Sequence, residues 1–233
     1  MCVFLTSYEK LRKDEEIISY INAANDVLGA LGFTEHGLAH AAKTGEDASR
    51  ILKILGYDER TCELAKIAGL LHDIGNTVNR CDHAQSGAFL AFELLRARDF
   101  PVSEVTAIVT AIGHHDEKTA AAVSPLAAAL ILADKSDVRN SRVRNKKTVQ
   151  SDIHDRVNYS VVSSSLDIEP EKKLICLTLI IDTLVCPVME YFEIFLDRMV
   201  LCKKSAEFLG CDFELIITDP SLLDGWHLPI SAR

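Results

Sequence analysis

The chain has no long apolar run, no closely spaced cysteine pair and no excess of positive charge, and each absence removes a class of protein. No window approaches the ~18 consecutive apolar residues needed to cross a bilayer, so no membrane span is expected. The N-terminus, MCVFLTSYEKLRKDEE, lacks a basic start followed by a long apolar stretch and a small-residue cleavage site, and does not read as a secretory signal. Cysteine occurs seven times, at Cys2, Cys62, Cys81, Cys176, Cys186, Cys202 and Cys211, with no CxxC pair. An odd number so spaced suits reduced, mostly buried thiols in a cytoplasmic protein rather than a disulfide framework. A net charge of −9 weighs against nucleic-acid binding, because polyanions favour basic surfaces. Internal repeats and low-complexity linkers are also missing.

What is present suits a globular protein with a sizeable core. Of 233 residues, 48% are apolar and 25% charged, which fits one large domain or a main domain with a small second one. Up to about residue 147 the pattern is helical. Thr6 and Glu9 form a possible capping box, after which Leu11, Ile17, Ile18, Ile21, Leu28 and Leu31 recur near helical spacing, with Gly29 and Gly32 closing the segment. Further helices are predicted at Glu35–Leu55, Asp58–His72, Asp82–Arg98, Val102–Gly113 and Pro125–Arg139. Beyond residue 148, VNYSVVSSSLDI and KKLICLTLIID read as antiparallel strands joined by EPEK. Pro187 then opens a helix with Val188, Phe192, Phe195, Leu196 and Met199 on one stripe, and FELIITD is a third strand. The fold class expected is mainly α, a helical bundle over residues 1–147 with a small α+β (β-β-α-β) appendage over 148–233.

The histidines are unevenly spread. Six of eight fall between His36 and His115, mostly at predicted helix ends or beside glycine. In LLHDIGN, His72 and Asp73 end an apolar run, where burying them needs compensation. Around them lie His40, His83 with Gly87 four residues on, His114 and His115 in IGHHDE, and Asp134 in ILADKSD. Imidazole and carboxylate are donors suited to Fe, Mn or Zn, and a carboxylate can bridge two ions. The alternative at His72-Asp73 is a helix-end hydrogen bond without metal. His36 competes with His40, since i and i+4 share a helix face.

The order H…HD…HxxxG…HH…D resembles the HD-domain superfamily of metal-dependent phosphohydrolases over about residues 35–140, and more narrowly its binuclear members. That resemblance implies an all-helical metal-binding bundle. It implies that His40, His72, Asp73 and Asp134 hold one divalent ion, and that Asp73 bridges to a second held by His83, His114 and His115. A hydroxide shared by the two ions would then attack a phosphate ester or anhydride, the substrate being a small phosphorylated molecule of the nucleotide class. LHDIGN puts Asn76 where the HD-GYP phosphodiesterases have lysine, and EKTAAAVSP replaces their GYP element, which argues against cyclic dinucleotides.

The stretch KSDVRNSRVRNKK concentrates positive charge after Asp134. Arginine forks match phosphate oxygens, so Lys135 and Arg139 join Asp73 as candidate catalytic or substrate-binding groups, with Lys43 and Arg80 behind them. The alternative for this stretch is a solvated helix end. Asp116 and Glu117 are candidates to orient imidazoles. His154 reads as a structural node where the appendage joins the helices, and His227 as a surface residue. The competing function is a non-catalytic ligand-sensing or interaction module, with a strand edge in 157–181 available to a second copy in a homodimer.

Overall fold

A computed structural model describes residues 7–144 and 153–219 and the backbone of 228–230. The predicted first helix is two. After a single turn, α1 (Tyr8–Leu11), the chain restarts at α2 (Glu15–Ala30), where the Asp14 carboxylate accepts from the N–H groups of Glu16 and Ile17. An aspartate at that position satisfies two of the N–H groups a helix start leaves free. Thr6, half of the predicted capping box, lies outside the described residues. Ile17, Ile21, Ala24 and Leu28 form the buried face of α2, and Gly32 (φ +84°) ends it in the left-handed conformation that glycine adopts without a Cβ clash.

Helix α3 (Leu38–Ile54) begins three residues later than predicted. Residues 35–37 serve as a tether instead: the Glu35 N–H donates to the Arg142 carbonyl, and the Glu35 carboxylate accepts from the Gly37 N–H at 2.5 Å. His36 therefore precedes the helix, and its Nδ1 donates to the Thr34 carbonyl at 2.7 Å. Helix α4 (Glu59–Leu71), capped by Asp58, crosses α3 with almost no space between the backbones. A Cβ on Gly69 would stand 2.4 Å from Gly45 Cα, and one on Gly45 would stand 2.5 Å from the Lys66 carbonyl. Two glycines make this approach possible.

Helices α5 (His83–Arg96), α6 (Val102–Gly113) and α7 (Pro125–Ser136) complete the bundle. Leu126 to Ala133 are all buried, because α7 touches α3, α4, α6 and the C-terminal helix. A helix apolar all round belongs at a centre. It stops three residues short of the predicted end, and a 3-10 turn at Asn140–Arg142 follows.

The C-terminal region departs from the expected pattern at its start. Residues 153–160 form a helix, α8 (Ile153–Ser160), where a strand was predicted from Val157. Ile153, Val157 and Ser160 are spaced for one helical face, and the strand begins only at Val161. Strand β1 (Val161–Glu169) then pairs antiparallel with β2 (Leu174–Ile181) across a 3-10 turn at Pro170–Lys172. Helix α9 (Val188–Phe208) carries the chain to β3 (Asp212–Thr218), parallel to β2, and β4 (Leu228–Ile230) adds to β3 antiparallel. The sheet order is β1-β2-β3-β4, so the β-β-α-β core is as expected with one further strand.

The buried stripe of α9 is Tyr191, Phe195, Met199, Cys202 and Ala206, whereas Leu196 faces outward at 54% exposure. Buried residues of helices and sheet belong to one cluster. The two parts are also stitched by polar contacts. Arg50 Nη2 donates to the Leu166 carbonyl at 2.7 Å, and Ser164 Oγ to the Ser136 carbonyl at 2.6 Å. No helix among the described residues is long and apolar enough to cross a membrane.

Candidate metal centre

His72 is the last residue of α4 in helical conformation and Asp73 follows it, so two adjacent side chains leave the helix end near one point. Gly75 and Gly87 bring the next turn against α5. A Cβ on Gly75 would lie 2.0 Å from the His83 carbonyl and 2.4 Å from the Gly87 N. That contact sets His83, the first residue of α5, beside Asp73. His40 comes from the first turn of α3, His115 from just past the end of α6, and Asp134 from the last turn of α7. Asn76 secures Asp73 with its Nδ2, which donates to the carboxylate and to the Asp73 carbonyl, both at 2.9 Å.

Four imidazoles share one arrangement. Nδ1 of His72 meets the Gly69 carbonyl at 2.7 Å, that of His115 the Ile112 carbonyl at 2.6 Å, and that of His83 the Arg80 carbonyl at 3.1 Å. Nδ1 of His40 meets the Asp137 carboxylate at 2.7 Å. Carbonyl and carboxylate oxygens only accept, so each Nδ1 carries a hydrogen and each Nε2 is left to act as a ligand. All four Nε2 atoms converge on Asp73. His72 and His40 lie 3.2 and 3.7 Å from Oδ2; His83 and His115 lie 3.5 and 3.9 Å from Oδ1. Asp134 Oδ1 closes the first side, 3.3 Å from His40 Nε2 and 3.7 Å from His72 Nε2.

The donors fit a cation better than they fit each other. His40 Nε2, His72 Nε2 and Asp73 Oδ2 are buried without a hydrogen-bond partner, a costly state for polar atoms. His83 Nε2 and His115 Nε2 face each other at 3.2 Å. With both Nδ1 atoms protonated, two lone pairs oppose; Arg80 Nη1 stands 3.3 Å from His83 Nε2, and a cation between the rings would satisfy both nitrogens. His40, His72 and Asp134 form one group able to hold an ion, and His72, Asp73 and His115 another. Burial opposes charge on His72, yet without an ion Asp73 and Asp134 outweigh it and push its pKa up to about 10, so a cation there takes the place of the Nε2 proton. Burial holds His115 well below the usual imidazole range, helped by the positive charge of His72 and Lys135.

Asp137, not singled out from the sequence, anchors the far side of His40. Burial works against its charge, but hydrogen bonds from His40 and Arg139 hold its carboxyl far below the usual range. Arg139 Nε meets Oδ1 at 2.5 Å and Nη2 meets Oδ2 at 3.0 Å, while Arg142 Nη1 donates to the Asp137 carbonyl at 2.5 Å. Arg139 is thus committed behind His40 and does not line the cavity that opens over Asp73. Asp137 sits three residues after Asp134 in ADKSD, one helical turn on, which is the one sequence signal that pointed to it.

That cavity is about 440 Å³ and reaches Asp73, His83, His115 and Asp134. Lys135 lines it, with Nζ 2.7 Å from Asp134 Oδ2. Arg80 and Arg142 add positive charge, and His36 and His154 also contribute. Apolar walls come from Leu31 and Phe33 after α2 and from Ile194 and Phe195 of α9, with Arg198 beside them. Nothing in the sequence tied α9 to the site, because only packing on α7 brings it there. The structure does not bring His114 to the cluster. Its Nδ1 donates to the Thr110 carbonyl at 3.0 Å, and its ring does not line the cavity. Consecutive residues diverge by about 100° on a helix, and here α6 ends in time to turn only His115 inward. Asp116 lies 4.0 Å from His83 Nδ1, whereas Glu117 points to Lys135 rather than to an imidazole. Lys43 is paired with Asp47.

Residues 37–139, which hold this buried cluster of imidazoles and aspartates, match the HD domain family. The chain is 26% identical over 159 residues to an uncharacterized protein of Methanocaldococcus jannaschii, MJ1020, covering 59% of this chain and 61% of that relative. No solved structure matches the chain.

Proposed function

We propose that this protein hydrolyses a phosphate ester or anhydride of a small phosphorylated molecule, a nucleotide in our reading, with two divalent ions held around Asp73. The observation that carries it is the arrangement of Asp73, whose two oxygens face the Nε2 atoms of two different histidine pairs, His72 and His40 on one side and His83 and His115 on the other. In this reading His40, His72, Asp73 and Asp134 hold one ion, and Asp73, His83 and His115 the other, with His114 left out. Iron, manganese or zinc suits these donors. Such ions lower the pKa of bound water and polarise a phosphoryl oxygen.

The chain's own groups do the rest. Asn76 fixes the Asp73 carboxylate, so the two ion positions keep one spacing. Lys135 and Arg80, on the cavity wall, place positive charge where a phosphoryl group enters. Leu31, Phe33, Ile194 and Phe195 give the non-phosphate part of a substrate an apolar wall. Residues 148–233 act as an accessory unit whose helix α9 completes that wall.

Elemental analysis of gently purified protein, with phosphate release measured across a nucleotide panel, tests the reading. About two ions per chain and metal-stimulated release are expected, both lost in Asp73→Ala. Protein that binds a nucleotide but releases no phosphate with any divalent metal would support the sensing module instead. Wild-type metal content in Asp73→Ala would sink the bridging assignment.

A further inference from the structure

Two positive side chains of the cavity share one carboxylate oxygen. Glu117 Oε1 accepts from Arg198 Nε at 2.7 Å and lies 3.4 Å from Lys135 Nζ. All three residues line the cavity, and they come from different places: Glu117 from the loop after α6, Lys135 from the end of α7, Arg198 from the middle of α9. Lys135 in turn touches Asp134 at 2.7 Å, so charges alternate in a line from the C-terminal unit to the metal centre. The Arg198 guanidinium packs over the Phe195 ring, 4.3 Å from its centroid. An aromatic face takes no strong hydrogen bond from the fork, and Glu117 uses one of its five donors. Burial penalises the charge of Glu117, but Lys135 and Arg198 outweigh it and keep the group ionised below its usual range.

A structural ion pair between two packed units has no need to stand on a cavity wall. An anionic oxygen held by an arginine and a lysine is, in contrast, the arrangement by which proteins bind phosphoryl or carboxylate oxygens. We propose that Lys135 and Arg198 form an anion subsite for the substrate, which Glu117 fills in the free protein and yields when a substrate oxygen takes its place. The C-terminal unit then contributes a specificity determinant. Substrates carrying a second anionic group besides the reacting phosphoryl are favoured, which means a phosphate anhydride over a simple monoester. This rests on the cavity being the substrate site, but it can fail independently of hydrolysis.

Equilibrium binding of inorganic pyrophosphate by calorimetry, with wild type, Arg198→Ala, Arg198→Lys and Glu117→Gln, tests it without requiring turnover. Arg198→Ala should raise the Kd about tenfold or more, as expected for a lost charged hydrogen bond, with Arg198→Lys in between. Glu117→Gln should lower the Kd severalfold, because the competing carboxylate is gone. Opposite directions are the signature, since a purely structural pair would make both changes weaken binding through loss of fold. Thermal melting of each variant checks that fold, and if Arg198→Ala unfolds, Arg198→Lys against Glu117→Gln still decides the sign. Absence of pyrophosphate binding by the wild type, or the two changes moving Kd the same way or not at all, overturns the subsite. A wild type that binds pyrophosphate with these signs but hydrolyses no nucleotide would sink the proposed activity alone.

Discussion

A histidine becomes a ligand through what its other nitrogen does. At this centre the four Nδ1 atoms are spent on Gly69, Ile112, Arg80 and Asp137, which turns the four Nε2 atoms toward Asp73. Only one of these partners is a charged side chain, and that partner is the most open to test. Asp137→Asn keeps an acceptor for His40 but loses the charge, so metal affinity should fall about tenfold; Asp137→Ala should lower it further, up to about 100-fold. Titration of metal-free protein with Zn²⁺ or Mn²⁺ reads both. Equal affinity in Asp137→Asn and wild type would show that the charge of Asp137 plays no part. The alanine variant also takes a buried carboxylate from beside the Arg139 and Arg142 guanidiniums, so part of its effect will appear as lost stability. At this scale the sequence was informative. Of the other six residues that the resemblance groups with Asp73, five lie around it, and His114 does not because of where α6 ends.

Elements bring those residues together by close approach. Gly45 and Gly69 let α3 and α4 touch along their backbones, and α3 carries His40 while His72 caps the end of α4. Any side chain at Gly69 meets backbone that has no freedom to move aside. Gly69→Ala should cost about 3 kcal/mol, at the upper end for overpacking, and a chain of this size should lose about 6–12 °C in Tm for that. A melting curve within a degree of wild type would mean that the helices can separate freely. Metal affinity should fall as well, because His40 and His72 are carried apart. Helix ends were the least legible feature of the sequence. The start of α3 moved because Glu35 binds Gly37 and Arg142 rather than beginning a helix, and α8 replaced a predicted strand because the helical spacing of Ile153 and Val157 prevailed over β-branched composition.

For the molecule as a whole, the centre is both the site and a point of strain. Buried donors without partners destabilise the folded chain until a cation satisfies them, so metal and stability are linked. Removal of metal with a chelator should lower the unfolding free energy by about 4 kcal/mol if the ion is normally present at a thousandfold excess over its Kd. Differential scanning calorimetry before chelation, after it, and after reloading checks this. An unchanged transition would mean that the cluster is satisfied without an ion. Asp73→Ala should melt at one temperature in all three states.

Composition and hydropathy period were enough to determine a mainly helical chain with a sheet after it, because these are local properties written in residue type and spacing, and the resemblance to the HD-domain family pointed to the histidines and aspartates of the centre. The tertiary structure alone decided three things: that Asp137 holds His40, that His115 and not His114 turns inward, and that α9 supplies Arg198 and Phe195 to the cavity. Each depends on which surfaces pack together across long stretches of chain, and no spacing along the sequence encodes that.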